Sequence, residues 1–366
     1  MKVIHILSDL QIGGMQKFCE DLANYQASRN YDVEIWCLSS KASRQLSQGV
    51  NAVDFGARCK FWNIHLMLRI MFGLLKMPEG TKIHTHGIAL YFSSLAIILL
   101  RNVRAFHTIH NLCDHEAGKA RRVVNRFLYR LNLVSPVTIS NEVDSSFNYF
   151  YRPCKSTLIK NGVPSSKSAV SNELKQELQD VYSINIDDCH DIFLHVGRFD
   201  YQKNRKLLFD VFDCFSRESK AKLLVVGGDQ DDDNPYYLEV KGHAGVERGS
   251  IVLLGNRTDV DQLYAISKYF ILSSRFEGLP LALLEAMREG LICISTPAGG
   301  CASVLKNTGF VSESFEFDSL FEALVMSINC DSVMVSQETI VKFRQNFTME
   351  ICGQRYHDLY LKDHRG

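Results

Sequence analysis

The pattern of short apolar runs alternating with amphipathic stretches starts twice in this chain, and that restart limits the possible folds more than any other feature. VIHILSDLQIGG and IFLHVGRFDYQKN each read as a buried strand, a polar loop and the opening of a helix. In the first half, strands are expected at Val3–Leu7, Val33–Cys37, Ile83–Thr85, Ala105–Ile109, Val137–Ile139 and Thr157–Ile159. In the second half they are expected at Ile192–Val196, Lys222–Val226, Ile251–Leu254, Tyr269–Leu272 and Ile292–Ser295. Helical stretches such as Gln16–Arg29, Ala120–Leu133, Lys206–Ser216 and Leu281–Glu289 lie between them. Repeated strand–helix–strand order argues for parallel sheets covered by helices on both faces, hence an α/β chain of two doubly wound halves. Ligands of such sheets bind beyond the carboxyl ends of the strands, so a central cleft faced by both halves is expected.

The chain has 366 residues, enough for two domains of ordinary size. Residues 164–191 are polar and read as a linker with an entry strand, giving expected domains at 1–165 and 190–345. Residues 1–165 hold 20 Lys and Arg against 11 Asp and Glu, while the remainder holds 21 against 30. Opposite charge on the two halves points to different partners for each. The 11 cysteines are scattered without a C-x-x-C pair, so neither a disulfide framework nor a zinc site is expected. MKVIHILSDL reads as a first strand rather than a signal peptide. Tyr91–Leu100 is the longest apolar run and is too short to span a bilayer. A cytoplasmic protein is expected.

Ser273–Gly300, SSRFEGLPLALLEAMREGLICISTPAGG, is the most informative segment. A strand ends at Leu272, a polar loop carries Glu277 and Gly278, and Pro280 falls where a helix begins, a position it tolerates. Gly278 permits close backbone approach, and free N–H groups at a helix start attract an anion. Glu285 lies more than one turn into the helix, set back where a carboxylate could accept bonds from paired ribose hydroxyls. A second segment, GRFDYQKN, places Arg198 and Lys203 in a loop that opens a helix. Two cations there would neutralise a diphosphate leaving with its electron pair.

Glu277 and Glu285 with Gly278, Leu279 and Pro280, followed by STPAGG, resemble the signature of the retaining glycosyltransferases of family 4, which have the GT-B fold of two Rossmann-like domains. Arg198 and Lys203 match that family's diphosphate clamp. The resemblance implies that Glu277 contacts the donor sugar and Glu285 the ribose, and that no metal is needed. VVGGD and VLLGN match the next two strand–loop units, which makes Gly255, Asn256 and Arg257 expected neighbours of the base. GGDQDDDN has the Asp-x-Asp spacing of a metal motif, yet an acidic surface loop is the expected reading.

In the first half, QIGGMQKF lacks the G-x-G-x-x-G fingerprint of dinucleotide-binding sheets. Gly13 and Gly14 match a Gly-Gly loop that in the family faces donor phosphate and acceptor. His110, in HTIHN, matches a histidine that projects toward the transferred sugar, while His86 is expected in a loop or in the acceptor lining. Lys342–Asp363 reads as one helix, and the resemblance implies that residues 346–366 pack back on the first domain.

CKFWNIHLMLRIMFGLLK, with Lys60, Arg69 and Lys76, and KARRVVNRFLYRLN, with Arg122, Arg126 and Arg130 four apart, carry the positive excess. Basic faces beside bulky apolar residues suit an anionic leaflet, so peripheral contact with the cytoplasmic face of an inner membrane is one expectation; a solvated basic helix is the other. No nucleic-acid motif accompanies the charge. The resemblance implies transfer of a hexose or N-acetylhexosamine from a nucleotide-sugar, a UDP-sugar first, to a glycan or lipid-linked acceptor of bacterial surface polysaccharide (lipopolysaccharide O-antigen or capsule). A nucleotide-sugar epimerase of the same fold and a non-catalytic membrane-surface scaffold are the alternatives.

Overall fold

The computed structural model describes residues 1–40, 46, 48–57, 59, 63–100, 103–166, 169–186, 191–228 and 230–362. Lys60 and Asp363, both named above, and Asp229 of the GGDQDDDN segment lie outside them. Contacts divide the chain into one unit of Met1–Pro164 with Phe347–Gly366 and a second of Ser165–Asn346.

The first unit is built on β1 (Lys2–Asp9), β2 (Asp32–Ser40), β3 (Val50–Asp54), β4 (Thr81–His86), β5 (Val103–Ile109), β6 (Val134–Thr138) and β7 (Thr157–Leu158). They pair in the order β3-β2-β1-β4-β5-β6-β7, each neighbouring pair parallel. Val3, Ile4, Ile6 and Leu7 are all fully buried, as a strand covered on both faces requires. The connections carry α1 (Gly14–Ser28), α2 (Ile64–Leu75), α3 (Ala89–Leu99), α4 (Cys113–Glu116), α5 (Lys119–Arg130) and α6 (Asn141–Tyr151). The apolar run Tyr91–Leu100 is a core helix, α3, buried from Ala89 to Ile97 except at Leu95.

In the second unit come α7 (Asn172–Tyr182), β8 (Ile192–Val196), α8 (Arg205–Ser216), β9 (Lys222–Val226), α9 (Pro235–Lys241), α10 (Ala244–Glu247) and β10 (Ile251–Gly255). They are followed by α11 (Val260–Ile266), β11 (Tyr269–Leu272), α12 (Leu281–Glu289), β12 (Ile292–Ser295), α13 (Cys301–Leu305), β13 (Phe310–Val311), α14 (Phe317–Ile328) and α15 (Ser332–Asn346). The sheet order is β10-β9-β8-β11-β12-β13. The order reverses between β8 and β11, so the loops after those two strands flank the crevice where ligands of such sheets bind. Those loops contain Arg198, Lys203 and Glu277. In the first unit the equivalent reversal lies between β1 and β4.

Two expectations are corrected. The polar stretch 164–191 contains α7, whose N-terminus is capped by Ser171 Oγ accepting from Leu174 N at 3.2 Å. Lys342–Asp363 is two helices: α15 ends at Asn346, and Thr348 Oγ1 caps α16 (Met349–Leu361) through Ile351 N. A backbone pair ties that break to the first unit, with Val163 N donating to Phe347 O and Met349 N to Val163 O. The edge strands β3 and β13 carry too little apolar sequence to have been expected.

Candidate active site

In the second unit the loop after β8 and the loop after β11 form one structure. Lys203 Nζ lies 2.6 Å from Glu277 Oε1, Ser274 Oγ donates to the same oxygen at 2.7 Å, and Gln202 Nε2 donates to Oε2 at 3.0 Å. Arg275 N donates to Gln202 O, and Ser273 Oγ donates to Lys203 O. The turn into α8 needs Asn204 in the left-handed region (φ 47°), which asparagine tolerates better than most residues. Lys203 lies across Gly197, where a Cβ would stand 3.1 Å from Lys203 Cε. The acid expected on the sugar and a cation expected on the diphosphate are thus direct partners here. Arg198 has a side chain 63% exposed, 3.2 Å from Asp200 Oδ2, while Asp200 Oδ1 accepts from Lys203 N at 3.0 Å.

Behind these loops the strand ends are cross-braced. Gly227 N donates to Gly255 O at 2.7 Å, and Gly228 N donates to Asn256 Oδ1 at 2.9 Å. Gly227 and Gly228 both have φ near +90°, and a Cβ on either would strike Gly197 O or Phe199. Arg257, expected beside a base, has its guanidinium held by Glu177 at 2.6 and 2.9 Å and by Asp259 at 2.8 Å. Those carboxylates push its pKa up, and its side chain is committed to them. Arg205 was missed by sequence reasoning. Buried, it donates to the carbonyls of Gly197, Val226 and Gly227 and stacks over Phe199, and burial lowers its pKa to about 9. In sequence it is one more cation in a basic loop.

Glu285 is buried on α12, its Oε2 accepting from Tyr264 Oη at 3.0 Å. Pro280 is the residue before the first helical turn (φ −70°), one position earlier than expected, and leads α12 from an extended backbone. Leu279 and Pro280 are buried, and Gly278 O accepts from Gly300 N at 3.1 Å. Gly299, in the PAGG turn, has φ +50° and lies so close to the Glu277 carbonyl that a Cβ there would overlap its oxygen. The turn after β12 therefore sets the height of the Glu277 loop, a role no single-residue signal announced.

In the first unit Gly13 caps α1 with extended backbone, a Cβ at Gly14 would meet nothing within 4 Å, and Lys17 N donates to Gly13 O. His110 follows β5 directly, and its Nε2 is 2.9 Å from His86 Nδ1. His86 is not in a loop: it ends β4, is fully buried and lies 3.1 Å from His5 Nδ1 through Nε2. Burial and the neighbouring imidazoles push the pKa of His110 down to about 3 and that of His86 well below its usual value. Glu116, also unforeseen, has its carboxylate beside the backbone of His110 and Asn111, and burial raises its pKa to about 7.

Asp231, Asp232 and Asp233 are exposed; Asp232 pairs with Lys241 at 2.7 Å, and Asp231 Oδ1 accepts from Asp233 N. On the first unit, α2 packs on α3 and α3 on α5. Their crossovers join parallel strands, so the three helices run parallel and their last turns meet at one end of the layer. Exposed there are Phe72 and Leu75, Ile98 and Leu99, and Phe127 and Leu131. On α5 the exposed stripe mixes Val123, Phe127 and Leu131 with Arg126 and Arg130. Arg69 departs from the expected basic face, donating to Phe55 O at 2.6 Å. Among the described residues no single helix is long and apolar enough to cross a membrane.

The family model described as Glycosyltransferase Family 4 matches residues 12–167, and that described as Glycosyl transferases group 1 matches residues 179–334. UDP-Gal:alpha-D-GlcNAc-diphosphoundecaprenol alpha-1,3-galactosyltransferase of Escherichia coli is 26% identical over 373 residues, covering 93% of each chain. Capsular polysaccharide biosynthesis glycosyltransferase CapH of Staphylococcus aureus is 23% identical over 384 residues, covering 99% of each. Among solved structures, Anabaena Alr3699/HepE in complex with UDP and glucose matches with a TM-score of 0.82 at 16% identity, over 98% of this chain and 99% of that one. A glycosyltransferase from Rickettsia africae ESF-5 matches with a TM-score of 0.78 at 17% identity, over 98% and 97%.

Proposed function

Because the chain belongs to glycosyltransferase family 4 and has the GT-B fold, we propose that it transfers a hexose or N-acetylhexosamine, with retention, from a UDP-sugar to a lipid-linked glycan in the synthesis of a bacterial surface polysaccharide. The observation that carries this reading is the junction of the loops after β8 and β11, where Lys203, Gln202 and Ser274 all hold Glu277 at the sheet's reversal point. The relatives named for galactosyl transfer to a diphosphoundecaprenol-linked sugar and for capsular polysaccharide synthesis support the acceptor class.

In the proposed reaction the bond from the sugar's anomeric carbon to the diphosphate breaks, and its electron pair leaves with the diphosphate. Arg198, Lys203 and the N-terminus of α12 meet that charge. The acceptor oxygen bonds to the anomeric carbon from the face just vacated, and its proton passes to a departing phosphate oxygen. Glu277 orients the sugar hydroxyls, Glu285 the ribose, and Gly255, Asn256 and Arg257 present backbone to the base. Gly13 and Gly14 leave room beside the phosphate, and His110 binds a sugar hydroxyl. No divalent ion enters the scheme, so EDTA is expected to leave turnover unchanged; a metal requirement would return attention to the acidic loop at Asp231–Asp233.

The acceptor's lipid and the exposed edge of α2, α3 and α5 support peripheral contact with an anionic membrane. Co-sedimentation with phosphatidylglycerol vesicles, and its loss in Phe127→Ser, tests that part. Product analysis tests the whole. An α-linked product from an α-linked donor, formed only with acceptor present, is expected; an epimerised nucleotide-sugar formed without acceptor would replace the proposal.

A further inference from the structure

Three histidines stand in line in the first unit, His5 and His86 fully buried and His110 half-buried. His5 lies in the middle of β1, His86 ends β4 and His110 follows β5, on three adjacent strands. His5 is level with His84, and His86 is level with Thr108. Each step across the sheet therefore also advances two residues along it, which keeps all three rings on one face. That face is covered by α1, whose Phe18 packs edge-on against His86 and His110.

Hydrogen bonds run the length of the line. Gln26 Oε1 on α1 is 2.8 Å from His5 Nε2, His5 Nδ1 is 3.1 Å from His86 Nε2, and His86 Nδ1 is 2.9 Å from His110 Nε2. A neutral imidazole has one N–H and one lone pair. Burial keeps all three neutral, lowering His5 to about 4, His110 to about 3 and His86 well below its usual value. A carboxamide oxygen only accepts, so His5 Nε2 carries its proton and His5 Nδ1 its lone pair. His86 must then donate from Nε2 and accept at Nδ1, and His110 must donate from Nε2.

We infer that the line Gln26–His5–His86 locks His110 in its Nε2–H tautomer, so that Nδ1 of His110 is a permanent hydrogen-bond acceptor for a sugar hydroxyl. The sugar contact rests on the reading of His110 given above; the tautomer does not. Gln26, His5 and His86 are positioning residues.

The same line sets what His110 cannot do. It ends in a carboxamide, which takes up no proton at physiological pH. An imidazolium at His110 would stand near His84 and His86 of β4 and His107 of β5, which offer it no carboxylate. Glu116 on α4 is the acid nearby, beside the backbone of His110 and Asn111, and burial favours its neutral form. His110 thus orients a hydroxyl and leaves proton removal to the departing phosphate. His5, Cys19 and His86 also bring ligand atoms within 4.8 Å of one another. A metal ion bound there would compete for the ring lone pairs that the line uses.

Imidazole nitrogen–proton correlation spectra of the full chain, labelled with 15N-histidine and assigned with His110→Gln, test this directly. Protonated Nε2 and bare Nδ1 at His5, His86 and His110 near pH 7.5 are expected. Gln26→Leu should mix the tautomers at His110 and lower kcat/KM about two- to tenfold, the worth of one neutral hydrogen bond. An Nδ1–H tautomer at His110, an imidazolium signal at neutral pH, or zinc bound to His5 and His86 overturns the inference. Mixed tautomers in Gln26→Leu with unchanged kinetics would keep the line and remove the sugar contact assigned to His110.

Discussion

Lys203 Nζ and Glu277 Oε1 are 2.6 Å apart, in side chains only 13% and 7% exposed, although 74 positions separate them in sequence. Without donor the pair is internally neutral. On the proposed reading, a diphosphate entering the loop after β8 offers Lys203 a second anion, and a sugar hydroxyl offers Glu277 a donor. Binding can then redistribute existing contacts without creating unpaired buried charge.

Lys203→Ala should therefore harm both stability and turnover. Removing one member of a buried pair costs about 3 kcal/mol, because the other charge is left unpaired. Transfer should fall more than about tenfold, at least the worth of one charge-assisted bond. Lys203→Met with Glu277→Gln should recover much of the stability and none of the activity, measured by urea unfolding and initial rates.

Tyr264 and Glu285 are expected to separate binding from chemistry. Tyr264→Phe removes a 3.0 Å hydrogen bond to Glu285 and leaves the carboxylate in place. Donor KM should rise about two- to tenfold with kcat nearly unchanged. Glu285→Ala should lower kcat/KM more than about tenfold, since it deletes a charged hydrogen-bond partner. Equal effects in the two variants would show that Glu285 does not meet the donor.

Gly299→Ala tests a contact that touches no substrate. Its Cβ would overlap the Glu277 carbonyl oxygen, and the backbone there has φ +50°. Displacing that loop should reduce transfer at least about tenfold, since errors of about 1 Å at a reacting centre cost two orders of magnitude. Gly242→Ala, which meets nothing within 4 Å at φ −97°, is the control for folding.

The second unit was more legible than the first. Apolar runs such as FLHV and YFILS mark central strands, and the EGLPLALLEAMREG and GRFDYQKN segments carry the residues on which the family resemblance rests. The bond between Lys203 and Glu277 was not legible, because sequence shows which loops carry charge and not which charges meet. Polar residues turned inward read like surface residues. Arg205, Gln26 and Glu116 carry no signal, and His86 reads as loop or acceptor lining because β4 runs one residue past the expected strand Ile83–Thr85. β3, with the pattern VNAVD half exposed at an edge, lacks the burial that makes a strand visible.

Two opposing proton linkages act in the first unit. His5, His107 and His110 titrate near 4, 3 and 3 in the fold instead of 6.5, so the unfolded chain binds more protons between those limits and stability falls as pH drops below about 6.5. Glu116 has the opposite sign. Raised from 4.5 to about 7, it binds its proton more tightly in the fold, and its contribution is lost as pH rises through that window. Glu116→Gln should thus be stabilised by about 1–2 kcal/mol at pH 7.5, allowing for partial solvent access, and by almost nothing at pH 4. Thermal unfolding at the two pH values checks this; an equal shift at both would show that the carboxyl is not held protonated.

The most direct test of the central claim is a crystal structure of the full chain with the nucleoside diphosphate that best stabilises it in a thermal screen. Phosphate oxygens about 2.7–2.9 Å from Lys203 Nζ and within reach of Arg198, with the ribose on Glu285, are the predicted result. A diphosphate bound away from the loops after β8 and β11, or a ribose that leaves Glu285 untouched, would contradict the account.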